Sequence, residues 1–145
     1  MDLQVNSDRV HNRGQGILEF ALVLPVLFLI VFGVLDLGRV FFATIGLTNA
    51  SREGVRYLTL HPDDVSNELG SFLGSITAAT DEANYAGLSV SGSQVTVDCS
   101  NTDGDDFCDS GTPATVTVTS DFDLILGWVL PSPITITRSA VMIVP

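Results

Sequence analysis

Two carboxylic acids, Glu19 and Asp36, stand in the otherwise uncharged run from Ile17 to Leu37. A charged side chain at the centre of a bilayer costs ~2.5–3.5 kcal/mol, and less toward an edge. Glu19 lies one turn inside the apolar run. It therefore either does a job there, by meeting a cation where water is scarce, or snorkels to the headgroups. A second candidate chemistry belongs to Cys99 and Cys108, which share one polar loop. In an oxidising compartment they would close a short disulfide; free thiols are the alternative. Between them Asn101, Asp103 and Asp105 alternate as oxygen donors, as in calcium loops. The glycine expected sixth from Asn101 is Asp106, however, and no glutamate closes the loop. A solvated acidic turn clipped by a disulfide is the better reading, with calcium second. Zinc is disfavoured because His11 and His61 are remote in sequence from the cysteines. No nucleophile–base pair, phosphate loop or paired-acid site stands out, so the chain reads as a non-enzyme without a cofactor.

The elements that position these residues follow from the apolar pattern. Ile17–Leu37 makes 21 residues. At ~1.5 Å per residue a helix of that length spans roughly 30 Å, the hydrocarbon thickness of a bilayer. The run is apolar all round, unlike the stripe of a surface helix. A chain this short can hardly enclose such a helix as a core element, so a membrane span is expected. Pro25 removes one backbone donor inside it and should kink or loosen the helix. The helical pattern continues past the span through Gly46, Ala50 and Gly54. Their four-residue spacing puts small side chains on one face, where another backbone can approach. Arg52 and Arg56 share a face and call for carboxylates from the exported domain or a neighbouring subunit. His61-Pro62 should end the long helix.

Beyond it, Pro62-Asp63-Asp64 suits a new helix start. Val65, Leu69, Phe72, Leu73 and Ile76 then predict an amphipathic helix to about Thr80, with Asp81–Gly87 as a loop. The remainder alternates with period two. Leu88–Val90 and Gln94–Cys99 predict a hairpin around Ser91-Gly92-Ser93. Ala114–Phe122 and Ile134–Val144 predict two further strands. The apolar parity of the last switches near Ser139, which predicts a bulge or two-sided burial. Leu124–Pro133 is apolar and loop-like, with Trp128 central; it belongs either at a membrane–water interface or over the domain core. The expected fold is α+β: a long transmembrane helix continuing into an exported domain with a second helix and a small antiparallel sheet.

Charge narrows the partners. The chain carries a formal net charge of −11 and six basic residues, all arginine. From Thr59 onward there are twelve acids and one arginine. Such a domain will not bind nucleic acid or anionic lipid through charge.

Gly14, then Gln15-Gly16-Ile17-Leu18, then Glu19-Phe20 resembles the processing signature of type IV pilin-like precursors. The longer pattern runs from Gly14 through EFALVLPVL, a Gly33–Arg39 turn and the Ala50–Tyr57 stretch ASREGVRY. It resembles the TadE-like pseudopilin family of tight-adherence (Flp-type) pilus systems, closely over about Arg13–Leu60 and more loosely at Ile134–Met142. Phe20 stands where the strictest cleavage motif has tyrosine. The resemblance implies a pilin-like fold with a cytoplasmic leader (1–14), an N-terminal helix with its exported continuation (15–60) and an exported domain (61–145). It implies cleavage by a prepilin-type aspartyl peptidase between Gly14 and Gln15, and a role for Glu19 and Phe20 in assembly. It implies other pilin or pseudopilin subunits, assembly machinery and a lipid bilayer as partners. The location would be a bacterial or archaeal-type cytoplasmic membrane, crossed once, with the C-terminal domain outside, or an extracellular filament. The competing reading is a membrane-tethered adhesive or calcium-dependent binding module outside any filament.

Overall fold

The computed structural model describes residues 8–62, 72–99 and 108–145, with side chains from residue 15 onward. Helix α1 spans Asp8–Leu60 and runs through Pro25 without interruption. It stops where the residue before Pro62 is pushed out of helical geometry; the His61 N–H still closes on the Tyr57 carbonyl at 3.0 Å. Along this one helix the environment changes. From Ile17 to Leu37 the large apolar side chains face outward, whereas Ala43, Leu47, Ala50, Val55 and Leu58 are buried. The outer half of α1 is therefore the central element of a folded domain, and the inner half protrudes from it.

Helix α2 covers Leu73–Tyr85. It runs five residues past the expected end, through Asp81–Tyr85, which the sequence suggested as loop. Of the expected start, Asp63 and Asp64, with Val65 and Leu69, lie outside the described residues. Of the expected face, Phe72 and Ile76 pack partly buried against the core, but the fully buried residues of α2 are Ser75, Ala79 and Ala83, and Leu73 is largely exposed. The cause is the partner surface. A Cβ placed on Gly54 would sit 3.0 Å from the Ala79 Cβ and 3.2 Å from the Ser75 carbonyl oxygen, so only short side chains fit between the two backbones. Ser75 Oγ donates to the Gly54 carbonyl at 2.8 Å, which satisfies a buried hydroxyl at the point of closest approach. The small face of α1 thus receives an element of the same chain.

Strands β1 (Val95–Cys99), β2 (Pro113–Phe122) and β3 (Ile134–Ile143) form one antiparallel sheet in the order β1-β2-β3. The sheet packs with β2 and β3 against α1 and β1 against α2. Ala114, Val116 and Val118 of β2 point into the core and Thr115, Thr117 and Thr119 away from it, the alternation of a half-buried strand. The expected hairpin partner at Leu88–Val90 is not a strand. Leu88 N–H bonds the Ala83 carbonyl, and Val90 N–H bonds Asn84 Oδ1. The segment instead crosses α1 at Gly46, where a Cβ would meet Leu88 Cδ1 at 2.9 Å. The parity switch in β3 has a different origin from a bulge. Pairing with β2 is continuous from Pro113↔Ile143 to Phe122↔Ile134, and Val141 and Ile143 simply face outward, both exposed. On α1, Arg56 is met by Glu53 one turn earlier, with Nε to Oε2 at 2.9 Å. Among the described residues its carboxylate partner is local to α1.

Candidate functional site

The protruding half of α1 carries the residues that the sequence marks for processing and assembly. The helical backbone passes without a break through Gly14 and Gln15. Glu19 and Phe20 are exposed. The polar contact of Glu19 is with Gln15 one turn before it, Nε2 to Oε1 at 3.5 Å, the outer limit of a hydrogen bond. Among the described residues Glu19 has no cationic partner. At 100° per residue, Val23 and Leu27 fall roughly opposite Phe32 and Asp36 on the helix. The Val23 and Leu27 face is bare, with exposures of 62% and 54%.

The opposite face is occupied by the chain itself, through a residue whose role the sequence did not disclose. Asp36 is 4% exposed. Its Oδ1 accepts the Ile125 N–H and its Oδ2 the Leu126 N–H, both at 2.9 Å. Arg39, one turn on, donates to Oδ1 at 3.0 Å and lies 4.8 Å from the centroid of the Phe122 ring. One carboxylate thus holds two successive backbone donors of the β2–β3 connection, about 90 residues away in sequence. The signal available in the sequence was an acid late in an apolar run, three residues before an arginine; the distant backbone partners carry no sequence signature. Below this clasp Leu126 comes alongside Gly33, its Cδ1 3.9 Å from where a Cβ would sit. Further down, Trp128 faces Leu24, Pro25, Phe28, Leu29 and Phe32 across an apolar groove of about 480 Å³. The loop therefore does not roof the domain core. It descends alongside α1, and Trp128 is 79% exposed.

Cys99, at the end of β1, is bonded to Cys108, with Cα atoms 5.3 Å apart. Asn101, Asp103 and Asp105 lie outside the described residues. Among the described residues no group of three or more His, Cys, Asp or Glu side chains converges on a metal position.

Residues 14–56 match the family model described as TadE-like protein. Over that segment the chain is similar to TadE-like proteins. The match begins at Gly14 and ends four residues before the end of α1, so the similarity resides in one helix. It covers both faces described above, the bare one and the one that carries Asp36 and Arg39. It does not extend to α2 or the sheet. No curated protein and no solved structure matches the chain.

Proposed function

We propose that the protein is a pseudopilin or minor pilin of a tight-adherence pilus, anchored and assembled through α1. The TadE-like match supports association with such a pilus, and a structural rather than enzymatic role, at the level of the family. The finer reading rests on Glu19: an exposed carboxylate in an apolar helix long enough to cross a membrane, beside a face that none of the described residues covers. A carboxylate at that depth is penalised until it meets a positive charge. Cleavage after Gly14 would create one, the amino group of Gln15, about one helical turn from its own Glu19. A neighbouring subunit's ammonium would serve the same purpose and would set the register between two helices. Phe20, Val23 and Leu27 would pack in that contact. On this reading residues 1–14 are a cytoplasmic leader removed by a prepilin-type peptidase, and the domain from residue 61 lies outside the cytoplasm.

The test is co-purification of Glu19→Ala and Glu19→Gln with pilus or secretion-machinery components, at wild-type abundance in the membrane, with intact mass read on the recovered protein. Glu19→Ala is expected to insert normally and to be lost from the assembly. Glu19→Gln keeps hydrogen bonding without charge and falls between. A recovered mass starting at Gln15 supports processing, and one retaining Met1 rejects it. Equal recovery of Glu19→Ala and wild type removes the docking role and points to the tethered binding module.

A further inference from the structure

We infer that the β2–β3 connection, Leu124–Leu130, is a second membrane-contacting element that inserts into the hydrocarbon of the leaflet on which the folded domain rests. The inference rests on α1 crossing a bilayer. Position along that helix carries it. The Asp36 clasp is at the outer end of the apolar run, Leu126 lies against Gly33, and Trp128 faces residues 24–32. Those residues are about one to three turns below Asp36, inside any span that uses Ile17–Leu37. A loop held at that depth beside a spanning helix is immersed wherever the helix is.

Its chemistry fits that place. Residues 124–133 contain no ionisable side chain in a domain that is otherwise strongly acidic. Ile125, Trp128, Val129 and Leu130 are exposed, which in water would be an unfavourable patch. Irregular backbone survives at membrane depth only where its polar groups are satisfied from within the protein. Here the Ile125 and Leu126 donors go to Asp36. Gly127 bonds the Leu124 carbonyl, Val129 and Leu130 bond that of Leu126, and Leu124 bonds Ser132 Oγ, so that six of the seven donors from Leu124 to Leu130, all but that of Trp128, are met among the described residues. Pro131 and Pro133 have no N–H to satisfy. Arg39 stands at the mouth of the loop, where a guanidinium suits the interfacial level. A second copy's helix is the competing occupant of the groove, but it would not cover the exposed Ile125 and Val129, which do not line that groove.

Trp128 is the sole tryptophan, so the emission of the full chain reports this position alone. The full chain is reconstituted into phosphatidylcholine–phosphatidylglycerol vesicles with and without brominated acyl chains, and acrylamide serves as the aqueous quencher. The expected result is blue-shifted emission, loss of most of it to bromolipid, and little loss to acrylamide. Strong acrylamide quenching without a bromolipid effect, in a chain that floats with the vesicles, overturns the inference. So does blue-shifted emission that ignores bromolipid and reverts on dilution with excess lipid, which assigns the groove to a second copy. A chain that fails to float overturns the span itself and the loop's placement with it. Asp36→Asn leaves one acceptor oxygen and turns an amide donor toward an N–H. It should raise acrylamide access in a chain that still floats; unchanged quenching would remove Asp36 from the clasp.

Discussion

Gly54 is the position where one methyl group should do most harm. In Gly54→Ala the new Cβ would lie 3.0 Å from the Ala79 Cβ, 3.0 Å from Val116 Cγ1 and 3.2 Å from the Ser75 carbonyl oxygen. Carbon atoms pack comfortably at about 3.5–4.0 Å, so the methyl is too close on three sides at once. Two of the three atoms are backbone or Cβ atoms of α2 and the third belongs to β2, so no single rotamer change relieves the contact. Overpacking of this kind costs about 1–3 kcal/mol. Pushing α2 away also weakens the Ser75 Oγ bond to Gly54, worth about 1 kcal/mol. Against this stands the helix propensity of alanine over glycine, ~0.8–1.0 kcal/mol in favour of the mutant. The balance is a loss of about 1–3 kcal/mol, or roughly 4–8 °C per kcal/mol in the midpoint of a domain this small. The assay is thermal unfolding of the full chain in detergent, followed by protease resistance of the domain. Gly38→Ala is the control, because its Cβ would meet nothing within 4 Å, and it should be neutral or slightly stabilising. Adding Ala79→Gly to Gly54→Ala removes one clash and should recover part of the loss. A Gly54→Ala midpoint equal to that of Gly38→Ala would refute the close packing of α1 on α2.

Two further outcomes are expected. Reducing the Cys99–Cys108 bond, or replacing both residues by serine, should destabilise the domain by about 2–3 kcal/mol for a closed loop of roughly ten residues; non-reducing peptide mapping that finds both thiols free would contradict it. The Arg56 hydrogen bond, and secondarily its charge, hold the Glu53 carboxyl below the usual range against a desolvation that would raise it. Its contribution is therefore present above the unfolded carboxylate pKa and lost as pH falls through the lower folded value, so wild type and Glu53→Gln should differ in melting midpoint near neutrality and converge in acid.

What the sequence disclosed was what repeats or what stops. The uniform apolarity of residues 17–37 and the proline at 62 are local features, and α1 appears as they require. The alternation of valine and threonine in β2 likewise identifies a strand with one buried face. Long-range features were hidden for physical reasons. The packing face of α2 is built of Ser75, Ala79 and Ala83, which have little apolar signal of their own; they are buried because Gly54 admits nothing larger. Leu88–Val90 has the composition of a strand, but its backbone donors are taken by the end of α2. Val141 and Ile143 looked like evidence for a bulge because apolar side chains were expected to be inside, whereas they lie on the outer face of the sheet. For the candidate site, Gly14, Glu19 and Phe20 were legible as a motif in sequence order. Asp36 was not, because its partners are main-chain groups that any residues at 125 and 126 would supply.

The contrast between the two carboxylates of the apolar run bears on function. Asp36 and Glu19 have similar intrinsic chemistry, and both stand in a segment that would penalise an unsatisfied acid. For Asp36 the fold supplies a full set of partners: two backbone donors and the Arg39 guanidinium. For Glu19 the described part of the chain supplies a side-chain amide at the limit of hydrogen-bonding distance. If α1 crosses the bilayer as proposed, an acid there with so little from its own fold calls for a partner from elsewhere. The geometry of α1 limits where that partner can approach. The Phe32–Asp36 side is flanked by Leu126 and Trp128, whereas the Val23–Leu27 side is bare and offers the approach beside Glu19. A helix docking there would cover aliphatic surface and reach the carboxylate together. Membrane contact through the 124–130 loop would meanwhile keep the opposite side filled and oriented, so that one turn of α1 about its axis is fixed relative to the bilayer before any second subunit arrives.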